Sequence, residues 1–196
     1  MKLRRREVVK ELLRERKDLL VVAGLGSTAW DITAAGDAPL SFPLWGAMGQ
    51  AAMIGLGLAL AQPKHRVLVL TGDGEMLMGV GSLATVGVQQ PANLTVVVID
   101  NERYGETGMQ HTHTAHGVDL AAVALACRFK HGITATDDVA AVRELVYKTP
   151  GPNFAAVKVI DEKLPLVLPP NDGVLLKARF RRALLGDSAD VLPEER

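Results

Sequence analysis

The chain is expected to fold as an α/β protein, a doubly wound, mostly parallel sheet with helices on both faces, and three features of its 196 residues predict this. Short, wholly apolar runs rich in β-branched residues recur along it, each of strand length. Segments of helical length separate these runs, and such alternation implies crossover connections and parallel pairing. Aromatic residues make up only 4% while Gly numbers 19, a composition suited to helices lying close on a sheet.

In chain order, residues 1–18 alternate charged and aliphatic residues. Val8, Val9, Leu12 and Leu13 fall at helical spacing and Glu7, Glu11 and Glu15 along another face, so an N-terminal amphipathic helix is expected. Leu19–Ala23 reads as a buried strand ending in a glycine cluster, Gly24-Leu25-Gly26. After a loop with Pro39 and Pro43, residues 46–61 read as a helix of small and apolar residues. Arg66–Thr71 is a second strand running into Gly72-Asp73-Gly74. Residues 75–90 are mostly helical, and Asn93–Asp100 form a third strand. A polar loop covers 101–117. A helix follows around Val118–Phe129, then a strand at Ile133–Thr136, a helix at Asp137–Lys148 with Asp137 or Asp138 as N-cap, and a strand at Phe154–Ile160. Beyond Pro165 the chain is punctuated by proline, with a short helix near Val174–Leu185. The expected organisation is therefore a helix over 1–18, a main domain over 19–164 and a C-terminal extension over 165–196.

Lys+Arg and Asp+Glu balance at 22 each, which gives the whole molecule no electrostatic reason to bind nucleic acid or an anionic membrane. Residues 1–17 hold eight Lys/Arg against three Glu, read as a solvated face or a subunit contact. The apolar stretch Leu19–Gly26 is too short to span a bilayer and lacks a signal-peptide layout. The single cysteine, Cys127, excludes an intrachain disulfide or a cysteine metal cluster and is read as a buried bystander. A cytoplasmic location is expected.

Gly24-x-Gly26-x-x-Ala29 after a strand matches a relaxed dinucleotide fingerprint, but no acidic residue stands about twenty positions on, where Ser41-Phe-Pro-Leu-Trp-Gly46 occurs. Ser27 and Thr28 remain candidates for a phosphate contact, with a plain turn as the alternative. The spacing of the next motif is more informative. Gly72-Asp73-Gly74 ends one strand and Asn101 ends the next, with 26 residues, 75–100, between them. One crossover helix consumes about that length, so the two strand ends return side by side and Asp73 and Asn101 face one volume. A carboxylate and an amide oxygen, with glycines that admit a bulky anion, suit Mg²⁺ carrying a diphosphate.

Gly-Asp-Gly, some two dozen residues and Asn form the thiamine diphosphate motif, and the chain resembles the diphosphate-binding (PP) domain of thiamine diphosphate enzymes. The resemblance implies Mg²⁺ held by the Asp73 and Asn101 side chains and the Arg103 carbonyl, with Tyr104-Gly105 closing the turn. It implies diphosphate contacts with the amides near Gly72, Gly74 and Glu75. Trp45-Gly46-Ala47-Met48-Gly49 is similar to the segment that wedges an apolar side chain under the bent cofactor, with Met48 as the wedge. The likeness runs from about Gly24 to Ile160. In the family a glutamate on a separate pyrimidine-binding domain activates the cofactor, and none of the glutamates here replaces it. A pyrimidine-binding (PYR-type) partner subunit and a hetero-oligomer are therefore expected.

Among split enzymes the likeness extends to the sulfopyruvate decarboxylase beta subunits and the matching domain of phosphonopyruvate decarboxylase. Their Ser-Thr-Gly-x-Gln-Pro-Thr type segment corresponds to Glu106-Thr-Gly-Met-Gln-His-Thr112, where Glu106 replaces serine, His111 replaces proline, and upstream Glu102 replaces glycine. His111, His113 and His116 crowd this loop. A zinc site, solvated surface histidines, or groups that bind or protonate an anionic 2-oxoacid all stay open, with His111 and His113 taken as the catalytic candidates. The resemblance implies a 2-oxoacid decarboxylase subunit, a lyase releasing CO₂ and an aldehyde. A carboligating, acetolactate synthase-like subunit and a non-catalytic regulatory subunit are the alternatives.

Overall fold

The computed structural model describes residues 2–190; Met1, at the start of the expected N-terminal helix, and residues 191–196 of the expected extension lie outside the described residues. Six strands form one sheet, β1 (Leu20–Ala23), β2 (Ser41–Pro43), β3 (Val67–Gly72), β4 (Leu94–Asp100), β7 (His131–Ala135) and β8 (Asn153–Lys158), in the order β2-β1-β3-β4-β8-β7. Every pairing is parallel. Two two-residue strands, β5 (Arg103–Tyr104) and β6 (Gln110–His111), make a separate antiparallel pair inside the segment expected as loop.

Alternation along each strand sends side chains to two cores. Leu20, Val22, Val67, Val69, Val96, Val98 and Phe154 face one of them. That side is covered by α3 (Ala51–Ala61), α5 (Ser82–Gln89), α6 (Leu120–Ala126) and, beyond β2, α8 (Gly173–Leu185). Val21, Leu68, Leu70, Val97 and Val157 face the other core, beneath α1 (Arg5–Leu13), α2 (Ser27–Ala34) and α7 (Ala140–Tyr147). The apolar stripe of α1, Val8, Val9, Leu12 and Leu13, enters this second core, so the N-terminal helix packs as part of the domain.

Several boundaries differ from the expectation, each for a local reason. The helix expected over 46–61 begins only at Ala51, because Ala47 (φ 56°) and Gly49 (φ 85°) take left-handed conformations that break a right-handed helix. The helix over 75–90 splits into α4 (Asp73–Met78) and α5 at Gly79-Val80-Gly81. A Cβ on Gly79 would fall 1.8 Å from the Gly49 carbonyl oxygen, so the break is where two backbones touch. β2 lies in the segment expected as loop; Pro39 before it and its own Pro43 mask it, and Pro43 is tolerated because the strand lies at the sheet edge. The N-cap of α7 is Val139 rather than Asp137 or Asp138, because the helix starts only at Ala140; Asp138, one residue before the cap, accepts from Ala140 N at 2.8 Å, while Asp119 and Asp172 cap α6 and α8. Cys127 is half-buried just past α6.

After β8 the chain runs as an irregular strap to α8. The Glu162 carboxylate accepts from Arg4 and the Pro165 carbonyl from Arg6, Trp45 Nε1 donates to the Pro170 carbonyl at 2.8 Å, and Arg179 pairs with Asp37. A further long-range tie is a buried triad. Asp31, on α2, accepts from Arg5 Nη1 at 2.6 Å and Arg6 Nε at 2.9 Å, with Arg5 and Asp31 both buried. Burial pushes the Asp31 pKa up, against the pull of the two guanidiniums. Removing one partner would strand a buried guanidinium, so Asp31→Ala is expected to cost about 3–5 kcal/mol in urea unfolding. A loss below about 1 kcal/mol would mean that the triad does not fasten α1 to the domain.

Candidate functional site

Strand order reverses between β1 and β3: the chain leaves β1 for β2 on one side and β3 for β4 on the other. Ligands of open α/β sheets bind in the crevice beyond the carboxyl ends of strands at such a point. A cleft of about 120 Å³ lies there. Its walls come from the first glycine loop and α2 (Leu25, Ser27, Thr28), Met48, the β3–α4 turn (Gly72 to Glu75), Asn101 at the end of β4, and Arg103 to Thr107. The volume is below the roughly 300 Å³ at which ordinary small-molecule pockets begin, so the cleft is a floor rather than an enclosure. A wider groove of about 970 Å³ between α1 and α7 shares no lining residue with it and is edged by Arg143 and Glu15, which pair with each other.

Register sets the central geometry. β3 and β4 pair with Gly72 opposite Ile99, so the following residues, Asp73 and Asp100, stand level at the strand ends. Asp73 is 1% exposed. Its Oδ2 accepts from Thr112 Oγ1 at 2.5 Å, and Thr114 Oγ1 lies 3.4 Å away. The single Thr114 hydroxyl proton is better placed on Asp100 Oδ1, at 2.8 Å, so Thr114 sits between the two carboxylates while Thr112 is the donor to Asp73. Asp100 has a cation: Lys158, opposite it in the β4–β8 register, lies 2.9 Å from Oδ2. Asp73 has no ion-pair partner among the described residues. Burial, with Asp100 close by, therefore raises its pKa from the ordinary 3.8 to about 6, while Thr112 and the backbone amides of Asp73 and Asn101 oppose the rise. A buried carboxylate in this state gains most from an added cation. Asn101 Oδ1 accepts from Arg103 N at 3.1 Å, an Asx-type turn that fixes the amide oxygen at the end of β4.

Glu75 binds the surrounding loops together. Thr71 Oγ1 donates to its Oε2 at 2.6 Å, and the backbone amides of Leu25, Gly49 and Gly72 act on the same carboxylate. Burial nevertheless raises its pKa, and Oε1 has no partner at hydrogen-bond distance. A Cβ on Gly24 would lie 1.7 Å from Glu75 Oε2, which explains that glycine. Gly74 is needed because the Tyr104 ring lies on it, 2.6 Å from where a Cβ would stand. The Tyr104 hydroxyl is 3.2 Å from His113 Nδ1.

Of the residues singled out from sequence, Ser27, Thr28, Met48, Gly72, Asp73, Gly74, Glu75, Asn101, Arg103, Tyr104 and Gly105 all line the cleft. Gly46 does not; it is exposed on the turn before Met48. His111 and His113 are exposed and outside the lining, His113 reaching it only through Tyr104. The described residues contain no group of three or more His, Cys, Asp or Glu able to hold a metal ion, which leaves the zinc reading of the histidine loop without support. Sequence reasoning missed Thr112 and Thr114. The His-Thr-His-Thr run carries a period of two, and its buried half is the threonines. It also missed Arg5, whose signal was Asp31, the lone charge between residues 19 and 36. Glu106, noted as a departure, lines the cleft with Oε1 2.2 Å from where a Cβ on Gly26 (φ 79°) would sit.

Residues 27–157 match the family described as thiamine pyrophosphate enzyme, C-terminal TPP binding domain. The sulfopyruvate decarboxylase subunit beta of Methanothermobacter thermautotrophicus is 37% identical over 190 residues, 97% of this chain and 100% of that one. The phosphonopyruvate decarboxylase of Streptomyces viridochromogenes is 39% identical over 145 residues, 73% of this chain but 36% of that protein. The chain thus spans the whole of the first relative and about a third of the second. The solved benzoylformate decarboxylase of Polynucleobacter necessarius shares the fold at TM-score 0.73 and 22% identity, over 85% of this chain and 35% of that one.

The raised pKa of Asp73 has a consequence for stability. From about pH 4 to 6 the unfolded carboxylate loses its proton while the folded one keeps it, so metal-free stability falls across that window and is flat above it. Asp73→Asn is expected to stabilise the metal-free protein by about 1–3 kcal/mol at pH 7.5 and by little at pH 4. Thermal unfolding at the two pH values checks this; equal shifts at both would remove the strained carboxylate.

Proposed function

The chain belongs to the thiamine pyrophosphate enzymes, through their C-terminal TPP binding domain, and from that premise we propose that it is the diphosphate-binding subunit of a two-subunit, Mg²⁺-dependent 2-oxoacid decarboxylase of the sulfopyruvate/phosphonopyruvate decarboxylase type. The observation that carries the reading is Asp73, buried without a cation beside Asn101 where two parallel strands end. The donor set fits Mg²⁺: a carboxylate oxygen, an amide oxygen and the Arg103 carbonyl are the hard oxygen ligands this ion takes. Gly74 and Gly72 keep side chains out of the way, Ser27 and Thr28 stand at the start of α2 where an anion is favoured, and Met48 offers an apolar prop.

Bound thiamine diphosphate supplies the electron sink that decarboxylation of a 2-oxoacid needs. The residues of this chain bind and orient it. Thr112 and Thr114 aim Asp73, the Asx turn aims Asn101, and Tyr104, packed on Gly74 and held by His113, fixes the loop after the metal asparagine. His111 and His113, exposed beside that loop, face the carboxylate of the substrate or the proton delivered after CO₂ leaves.

Each carboxylate of the cleft is engaged or displaced: Asp73 by the threonines, Glu75 by Thr71 through one of its oxygens, Glu106 against Gly26. The activating glutamate therefore comes from a pyrimidine-binding partner chain, which agrees with the open cleft and with the word subunit in the name of the full-length relative. No helix among the described residues is long and apolar enough to cross a membrane; we place the assembled enzyme in the cytoplasm.

Calorimetry with thiamine diphosphate and Mg²⁺ is expected to show binding to the wild-type chain and at least about a 100-fold loss in Asp73→Ala. Equal affinities would sink the metal assignment. Alone, the chain is expected to turn over almost no 2-oxoacid and to gain activity with its partner; product analysis with pyruvate separates aldehyde release from carboligation. Full turnover by the isolated chain would overturn the divided site.

A further inference from the structure

Arginine stands three times in a row at the start of α1, as Arg4, Arg5 and Arg6. The amino end of a helix is its positive end, where a cation is disfavoured, so each of the three needs a partner that the helix does not provide. Arg4 pairs with Glu162 at the surface. Arg6 gives Nε to Asp31 and Nη2 to the Pro165 carbonyl. Arg5 has the least. Its Nη1 donates to Asp31 Oδ2 at 2.6 Å and to the Ser27 carbonyl at 3.3 Å, and its guanidinium forms no other hydrogen bond with a described residue. Two guanidiniums share one carboxylate, so the triad that fastens α1 keeps one positive charge in surplus. Arg5 is the most buried of the three arginines, at 5% exposed, and a buried guanidinium is costly unless its charge is matched.

The fold fixes where that surplus is presented. Leu3 bridges to Val159, just past the end of β8, and Ile160 N donates to the Leu3 carbonyl at 2.9 Å, so α1 starts at the carboxyl edge of the sheet. Arg5 thereby enters the wall of the cleft, beside Ser27 and Thr28. α2 begins there after Gly26 with no side-chain cap, which leaves its first amides open to the same anion. The other cation of the wall, Arg103, already faces Asp161 at 3.5 Å. The cleft is therefore polarised: Asp73 lacks a cation while Arg5 offers one. Such a wall fits a ligand that brings a metal at one place and bare phosphate oxygens at another.

We propose that Arg5 binds the terminal phosphate of thiamine diphosphate, an inference that rests on the thiamine diphosphate reading of the cleft. The terminal phosphate carries most of the charge of the diphosphate, and a planar guanidinium can give one nitrogen to Asp31 while its remaining donors meet phosphate oxygens. A lysine ammonium cannot serve both in one place. Arg5 lies outside residues 27–157, so this contact is supplied by a helix that stands before the stretch matching the family. Asp31 acts through it as a positioning residue, and α1 becomes part of the binding site as well as of the core.

Calorimetry of thiamine diphosphate binding to the full chain, with Mg²⁺ present, is the test. Arg5→Met is expected to weaken binding at least about 10-fold, the worth of one charge-assisted contact. Arg5→Lys, which keeps the charge but loses the fork, is expected to weaken it about 3-fold to 10-fold. Arg6→Met disturbs the same triad from a residue outside the cleft wall and is expected to bind within about 2-fold of the wild type. Circular dichroism establishes that each variant is folded; should Arg5→Met not fold, Arg5→Lys decides, and wild-type affinity there would overturn the proposal. A smaller loss in folded Arg5→Met, or an equal loss in Arg6→Met, would overturn it too, since a purely structural role moves both. Failure of the decarboxylase reading would show separately, as absence of calorimetric binding by the wild type.

Discussion

The structure depends on a carboxylate that the fold buries without giving it a countercharge. Asp73 and Asp100 are brought level by the β3–β4 register, yet only Asp100 receives a lysine, because β8 ends with Lys158 in register beside it. Asp73 is left with hydroxyls and amides, which orient a negative charge but do not neutralise it. Two buried carboxylates and one lysine form an arrangement one positive charge short. The proposed Mg²⁺ would make up that shortage, and with it a cleft with Asp73, Glu75 and Glu106 in its walls would accept a diphosphate.

Precision at that point is obtained from loops, and the loops are held by another buried acid. Glu75 follows Asp73 by two residues, and its carboxylate gathers Thr71, the first glycine loop and the turn carrying Met48. The carboxylate lies where these loops meet, and Gly24 is small because that carboxylate occupies the place of its side chain. The resemblance implied diphosphate contact near Glu75; geometry adds a positioning task for its side chain and leaves the backbone of the turn facing the cleft.

Much of this was legible in the sequence because it follows from local periodicity. Buried parallel strands appear as apolar runs, and the spacing of Asp73 and Asn101 encodes the crossover that reunites them. Illegible features depend on contacts distant in sequence. The break between α4 and α5 exists because Gly79 meets Gly49, and nothing near Gly79 announces Gly49. β2 is three residues long and ends in proline, so only its partner β1 makes it a strand. In the loop after Asn101 attention to reactive side chains pointed to His111 and His113, whereas burial favours the residues between and after them. A hydroxyl can satisfy a buried carboxylate without a charge of its own, so threonine serves where histidine would bring a proton equilibrium into the centre of the site.

The distribution of charge along the chain then acquires a physical reading. An isolated domain of balanced charge would spread Lys, Arg, Asp and Glu over every outer helix, since exposed helices gain solubility and side-chain pairing from them. Here the charged residues concentrate on α1, α7, the terminal strap and α8, while α3 and α5, which follow the Met48 turn and the Asp73 motif, carry none. The same helices that deliver the site's loops are thus the ones whose backs are bare. A cleft that is only a floor is thus carried by loops that the sheet and its neighbouring helices already hold in place, a surface that does not have to be shaped at the moment of binding.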